Sequence, residues 1–413
     1  MNRLSEMVAT LKSVLKFRPI ELDPVERRIA RAASVADLRK MARRRLPRGV
    51  FDYIDGAAED ERSLASNCDA YGRIEFRPRV LRDVSGVDTT TTLLGRPLPF
   101  PLVLAPTGFT RIAAPPGELA VARAAARLGL PYTLSTMGTR SIEDVAAVSD
   151  GPKWFQVYVW RDRGLVKDMI SRAAASGYEA LVLTVDTAVL GRRDRDARRG
   201  FALPPKIGPG TLVDGAIHPG WTWEFVRSEP ILFANLVGSG VGDGSDDAVS
   251  LAEQVSTQFD ASLSWRDVEW MRSIWNGPII IKGIQTVADA LLAVDAGVEA
   301  IALSNHGGRQ LDTAPAPIEL VAPVADAVGD RIEIICDGGV RRGSDIVKAV
   351  ALGAQACMAG RAYLYGLGAA GERGVDHVLK MLRSDVRRTM ALLGVTSIAE
   401  LNREYVRLTT SPA

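Results

Sequence analysis

Eight short apolar runs after residue 100 set the tightest limit on how this chain folds. They are LVLAP (102–106), YTLS (132–135), FQVYV (155–159), LVLTVD (181–186), IIIKG (279–283), AIALS (300–304), EIICD (333–337) and ACMAG (356–360). Each is too short for a helix, and most are rich in branched side chains. Most lead through a loop into a stretch of helical character, clearest in GELAVARAAARLG, ADALLAVDAGV and GSDIVKAVALGA. Strands alternating with helices predict parallel βα units, and eight such units fill a (β/α)8 TIM barrel, an α/β fold. The rival is an open doubly wound sheet. Its dinucleotide fingerprint is absent, because APTGFTRIAAPPG after the first run is not GxGxxG.

One spacing breaks the rhythm. Roughly 90 residues separate the fourth run from the fifth, and residues 187–264 form an expected loop insertion rich in Gly, Pro and Asp. HPGWTWEFV and EPILFANLVG inside it are unusually apolar for a loop. Such clusters either mark a partner or membrane surface or tuck against the barrel. Residues 35–100 carry the helical VADLRKMARRRL, the helix–turn segment FDYIDGAAEDE and the extended-looking FRPRVLRDV. They are expected to cap the barrel, so that one catalytic domain spans 35–405. Residues 1–34 form a basic extension, and 406–413 a C-terminal tail.

Charge and cysteine content narrow the partners. The net charge is +2, which implies no nucleic acid. The first 50 residues hold 13 Lys/Arg against 5 Asp/Glu, a local +8 that leaves −6 for the rest. Leu4, Met7, Val8, Leu11, Val14 and Leu15 fall on one face of a helix flanked by Arg3, Lys12, Lys16 and Arg18. That face suits a membrane surface, the chain's own barrel or a neighbouring subunit. Cys68, Cys336 and Cys357 show no paired spacing, so no disulfide framework or metal site is expected and a reducing, cytoplasmic compartment is. No apolar run is long enough to span a bilayer.

A barrel places its reactive groups where strands end. Those ends are Pro106 and Thr107; Ser135; Gln156 and Tyr158; Thr184 and Asp186; Lys282; Ser304 and His306; Asp337, Gly338 and Gly339; Gly360 and Arg361. Polar residues at every strand end exceed what a structural barrel needs. DGGVRRG and AGRA suggest a phosphate site built from freed backbone N–H groups, Arg341 or Arg361 and a helix N-terminus. Arg193 and Arg309 can hold a carboxylate, Tyr53 and Tyr158 can orient a hydroxyl, and His306 can take a proton. Asp186 can stabilise the resulting imidazolium. Lys282 needs an anionic partner if buried, which the N1/O2 edge of a reduced flavin supplies. Ser135, Gln156 and Thr184 suit its pyrimidine edge. The set reads as flavin mononucleotide (FMN) plus a small 2-hydroxy acid.

With those residues in place, SNHGGRQLD (304–312) resembles the active-site signature of the FMN-dependent 2-hydroxy acid dehydrogenases and oxidases. LPRGVFDYIDGAAEDE, FRPRVL, LAPTG, FQVYVWRDR, LTVDT, IKGI and DGGVRRGSDIVKAVALGA are similar to it as well, from about residue 35 to 405. The resemblance implies His306 as catalytic base with Asp186 as its partner, and Tyr53, Tyr158, Arg193 and Arg309 as substrate ligands. It implies an FMN site lined by Pro106, Thr107, Gly108, Ser135, Gln156, Thr184, Lys282, Ser304, Asp337, Gly338, Gly339, Arg341, Gly360 and Arg361. RDARRG, HPGWTWE and FDASLSWRDVEWMRSIWNGP look most like the bacterial respiratory L-lactate dehydrogenases. That implies L-lactate as substrate, a quinone or other carrier as acceptor, a peripheral place on the inner face of the cell membrane, and a homo-oligomer, commonly a tetramer. An oxygen-using oxidase and a glycolate or mandelate dehydrogenase are the alternatives. Met137 departs from the pattern, standing where several soluble oxidases carry a tryptophan, and it bears on substrate size.

Overall fold

The computed structural model describes residues 21–199, 208–236 and 258–409. Eight strands form the centre: β1 (Leu102–Leu104), β2 (Tyr132–Ser135), β3 (Lys153–Val157), β4 (Ala180–Thr184), β5 (Ile279–Ile284), β6 (Ala300–Ser304), β7 (Glu333–Asp337) and β8 (Ala356–Ala359). Each pairs in parallel with the next, and β8 pairs with β1, so the barrel closes. The expected (β/α)8 architecture is the one observed.

Side-chain alternation explains both the core and the site. Val103, Trp154, Val182, Ile280, Ala302, Ile335 and Met358 cluster in the barrel interior, while Leu104, Phe155, Leu183, Ile281 and Leu303 join the larger core outside it. Two residues further along, the interior face becomes polar. Gln156 follows Trp154, Thr184 follows Val182, Lys282 follows Ile280, Ser304 follows Ala302, and Asp337 follows Ile335. A period of two therefore carries one face from packed bottom to reactive top. The third run is displaced: the strand is Lys153–Val157, not 155–159. Lys153 enters a buried strand because its ammonium donates to the carbonyls of Ser149 (2.7 Å) and Gly151 (2.8 Å).

Three helices, Val35–Arg45, Arg48–Asp55 and Arg62–Gly72, cap the barrel. Leu38, Ala42 and Leu46 are buried, and a Cβ at Gly368 of the long last helix would lie 2.9 Å from Leu46. Asp55 fixes this cap. Its carboxylate accepts from Arg39 (2.5 and 2.7 Å), Arg195 (3.0 Å) and Tyr365 (2.8 Å).

The outer segments differ from expectation in part. The amphipathic face over residues 4–15 lies outside the described residues. The later part of the extension forms helix Pro24–Ile29, which packs Ile29 into the protein and ties Asp23 to Arg373 (2.5 Å). The segment expected to be a tail begins with strand Val406–Leu408, paired antiparallel with Ile74–Phe76. Within the insertion, helices Pro209–Ile217 and Pro219–Val226 meet the cap, where Asp214 accepts from the Arg48 N–H (2.6 Å) and Glu224 pairs with Arg45. Trp221 donates to the Ile112 carbonyl (2.9 Å), and Phe233 and Leu236 are buried. Leu212, Val213, Ile217, Trp223 and Val226 face outward, Trp223 63% and Val226 73% exposed. The insertion thus both tucks in and presents an apolar surface.

Burial alone would raise the Asp55 carboxyl, but its arginine and tyrosine partners outweigh burial and hold it at about 2. Its folded pKa is depressed, so its contribution is complete above the ordinary value near 4 and fades as pH falls toward 2. Asp55→Asn should cost about 2 kcal/mol at pH 7 and little near pH 2, read from unfolding midpoints at both pH values.

Candidate active site

The C-terminal ends of the strands surround a cavity of about 480 Å³. Its walls include Tyr53, Pro106, Thr107, Gly108, Ser135, Met137, Tyr158, Thr184, Arg193, Lys282, His306, Arg309, Asp337, Gly338, Gly339, Arg341, Gly360 and Arg361. Gln156 and Ser304 are buried beside them, and Asp186 is bonded to His306.

At the floor, Lys282 places its ammonium 2.9 Å from Asp337 Oδ2 and 3.0 Å from Ser304 Oγ, which itself donates to Asp337 (2.8 Å). Register explains the meeting, since Asp337 lies opposite Ser304 and Lys282 opposite Thr184. Burial opposes the lysine's charge, but Asp337 and then Asp186 outweigh it and hold the ammonium above its usual value. The anionic partner of Lys282 is therefore first a protein carboxylate.

The catalytic candidates sit on one turn. His306, Gly307 and Gly308 have φ of 57°, 64° and 75°. The glycines adopt this conformation freely, whereas His306 is held in it at a cost of about 1–3 kcal/mol. Its N–H donates to Ser304 Oγ (3.0 Å), and its Nδ1 lies 2.8 Å from Asp186 Oδ1. Burial would raise the Asp186 carboxyl, but His306 and Lys282 hold it below its ordinary value. Asp186 is thus ionised and accepts the Nδ1–H, which leaves Nε2 as the basic nitrogen.

Tyr53 is the platform for the arginines. Arg309 lies 5.1 Å and Arg193 5.6 Å from its ring centroid. Arg309 donates to the carbonyls of Tyr53 (2.8 Å) and Gly56 (2.9 Å). Burial, and then the charge of Arg193, push its guanidinium well below the usual arginine range. A cation held by neutral acceptors beside a second cation attracts an anion. Burial, and then Asp186, push the Tyr158 phenol upward, so it stays protonated and can donate.

The remaining polar rim fits FMN. Gln156 Nε2 and Thr184 Oγ1 are buried without partners, while Ser135 donates to Gln156 Oε1 (2.9 Å). Unpaired buried donors and acceptors are expensive unless a ligand meets them. Gly338 and Gly339 have φ of 136° and 76°, and a Cβ at Gly339 would lie 1.9 Å from the Asn67 carbonyl. Arg341 stands just before helix Gly343–Leu352, whose N-terminus suits phosphate. Arg361 lines the cavity as expected of a cofactor ligand, and three of its five N–H donors are also used within the chain. Its Nε, Nη1 and Nη2 donate to the carbonyls of Ile54, Gly307 and Gly56 at 3.2, 2.8 and 2.7 Å. It straps the cap and the His306 turn to β8.

The sequence reading missed several cavity residues. Phe109, Phe233, Phe259 and Leu190 add apolar wall. Gln310 bonds the Asp186 carbonyl (3.0 Å), the Val189 carbonyl (2.9 Å) and the Gly191 N–H (3.0 Å), tying the β4 loop to the His306 loop. Asp196 pairs with Arg193. The i, i+3 spacing of Arg193 and Asp196 was the available signal for that pair.

Barrel, glycine cradle, unpaired polar rim and His306–Asp186 pair together define a flavin-dependent barrel enzyme. Residues 42–408 match the family model described as FMN-dependent dehydrogenase, and the chain belongs to that family. A Mycobacterium tuberculosis protein called "Putative L-lactate dehydrogenase" is 46% identical, with 98% of this chain and 96% of that one covered. The L-lactate dehydrogenase of Caulobacter vibrioides is 44% identical, over 90% of this chain and 96% of its own. A crystal structure of the monotopic membrane protein (S)-mandelate dehydrogenase superposes with a TM-score of 0.88 at 41% identity, covering 92% of this chain and all of that one. The protein is therefore an FMN-dependent oxidoreductase of the 2-hydroxy acid class.

Removing one member of a buried ion pair strands the other. Lys282→Met should cost roughly 3–5 kcal/mol and loosen FMN. Thermal melting and flavin content of the purified variant measure both; wild-type values for both would refute the account of Lys282.

Proposed function

We propose that the protein oxidises L-lactate to pyruvate. The carrying observation is the 2.8 Å His306–Asp186 contact in the cavity that also receives two arginines. In this reading Arg193 and Arg309 hold the carboxylate, and Tyr53 and Tyr158 orient the hydroxyl. Nε2 of His306 takes the proton, and Asp186 stabilises the imidazolium. The substrate loses two electrons and two protons to become the 2-oxo acid. Bound FMN would supply the two-electron acceptor for this oxidation, and a quinone or another respiratory carrier would be the onward acceptor in this reading. Gln156, Thr184, Ser135 and Lys282 hold the FMN ring edge, and Gly338, Gly339, Gly360 and Arg341 its phosphate. The lactate-named relatives support the substrate.

A second reading, a larger acid such as mandelate, is favoured by the wall of Phe109, Met137, Phe233 and Phe259. A flexible thioether at Met137 leaves room that a rigid indole would take. Anaerobic addition of L-lactate, D-lactate, glycolate and mandelate separates the readings. Bleaching of the flavin band fastest with L-lactate is expected, and fastest bleaching with mandelate selects the other reading. His306→Ala should slow reduction by L-lactate roughly 10²–10⁴-fold in stopped flow. Near wild-type reduction would remove His306 from its role.

The outward apolar face of the insertion supports a peripheral place on the inner face of the cell membrane. No described helix is long and apolar enough to cross one. Trp223→Asp with Val226→Asp should abolish co-flotation with anionic vesicles, and unchanged flotation would place the contact elsewhere. The homo-oligomer, a tetramer by resemblance, is measurable by sedimentation.

A further inference from the structure

We propose that Asp196 is a positioning residue that serves as the resident carboxylate of Arg193. It aims the guanidinium at the cavity and limits how tightly the site holds an anion. The inference rests on the proposed role of Arg193 as a substrate ligand.

The segment that leaves β4 carries the whole arrangement. It begins at Asp186, is strapped by Gln310 through the Val189 carbonyl and the Gly191 N–H, and starts a helix at Asp194–Arg199. A side chain at Gly191 would press within 2.4 Å of the Arg309 carbonyl, so the two loops run in direct contact there. Arg193 stands at the start of that helix and Asp196 one turn on. Their spacing brings the carboxylate back to the arginine, with Nε 3.0 Å from Oδ2. Asp196 is only 9% exposed and lines the same cavity as Arg309 and His306.

A carboxylate in a site built for carboxylates requires a reason. Burial pushes its acid group above the ordinary value, with Arg193 and then Arg309 pulling the other way. It is therefore costly where it stands, and its 3.0 Å ion-pair contact with Arg193 offsets part of that cost. Without it, two guanidiniums flank one tyrosine ring with neutral carbonyls as the bonded partners of Arg309. Asp196 supplies the missing negative charge before any acid binds. Its Oδ2 lies at the Nε edge of Arg193, an arrangement that assigns the paired Nη groups to an incoming carboxylate. Orientation helps substrate binding, whereas the like charge of Asp196 opposes it. The opposition eases release of the anionic product.

The two effects separate by substitution. Asp196→Asn keeps an oxygen to accept from Nε and removes the charge, while Asp196→Ala removes both. Holoenzymes are titrated with pyruvate by the change in flavin absorbance, then reduced anaerobically with L-lactate in stopped flow. For Asp196→Asn the pyruvate dissociation constant should fall about five- to tenfold at low salt, and less at high salt. The lactate concentration giving half-maximal reduction should fall with it, and the saturating rate should move far less. Asp196→Ala should bind pyruvate at least about threefold more weakly than Asp196→Asn, because nothing then fixes Nε. Unchanged or weaker pyruvate binding by Asp196→Asn, beside a wild type that binds pyruvate and is reduced, overturns this inference alone. A wild type that neither binds pyruvate nor is reduced by L-lactate overturns the lactate function, and this inference with it.

Discussion

A lysine ammonium buried at the top of the barrel sets the terms for everything around it. Lys282 occupies the interior face of β5, where the alternation below it is apolar. Desolvating that charge is tolerable only because Asp337 arrives from β7, two strands away, with Ser304 of β6 between them. The same charge helps keep Asp186 ionised just beyond the end of the neighbouring strand, and Asp186 in turn fixes the tautomer of His306. Charges thus alternate from Asp337 of β7 to Lys282 of β5 to Asp186 just beyond β4, which meets the His306 imidazole on the turn after β6. Each is stable in a buried place because its neighbour has the opposite sign. Barrel closure is what makes this chain of charges possible, since it fixes which strand ends face one another.

The cap completes what the barrel starts. Tyr53 comes from helix Arg48–Asp55, yet its ring receives Arg193 and Arg309 of the cavity wall. Asn67, from the next helix, exchanges two hydrogen bonds with Asn305, one residue before His306, at 2.8 and 2.7 Å. Arg361 binds carbonyls of the cap and of the His306 turn together. The unusual backbone at His306 therefore persists because groups from three regions of the chain over-determine it.

Strand positions were legible because burial on both faces makes each strand a continuous apolar run, and polar strand ends interrupt it at the same depth. The polar residue near the C-terminal end of these runs therefore marks the site: Lys282, Thr184 and Asp337 line the cavity, and Ser304 is buried beside it. The start of β3 was less legible, because a buried lysine resembles a loop residue until its carbonyl partners are seen. Gln310 and the strap made by Arg361 share a different obstacle. Each acts through contacts between a loop and a segment distant in sequence, and nothing in the local pattern encodes that meeting. Residue type and a place after a glycine point Arg361 to the cavity, which it lines, but do not announce the three carbonyls that it also binds.

The two ends of the cavity solve the same electrostatic problem by different means. On the side of β7 and β8, positive-φ glycines and a helix N-terminus present backbone dipoles, which are weak singly and carry no net charge. On the side of β4 and β6, two full cations stand on one aromatic ring, and repulsion between them must be managed whenever no anion is bound. A fixed cofactor phosphate suits the first design, because it is meant to stay. A small acid that enters and leaves as an anion suits the second, provided the cations are not left so hungry for charge that the product is retained. The segment after β4 carries the base's partner, one of the cations and the resident carboxylate within eleven residues, Asp186 to Asp196. It then runs on into the insertion whose helices present the apolar surface. The proposed roles in chemistry, anion release and surface attachment thus fall within one stretch of the sequence, residues 186–226.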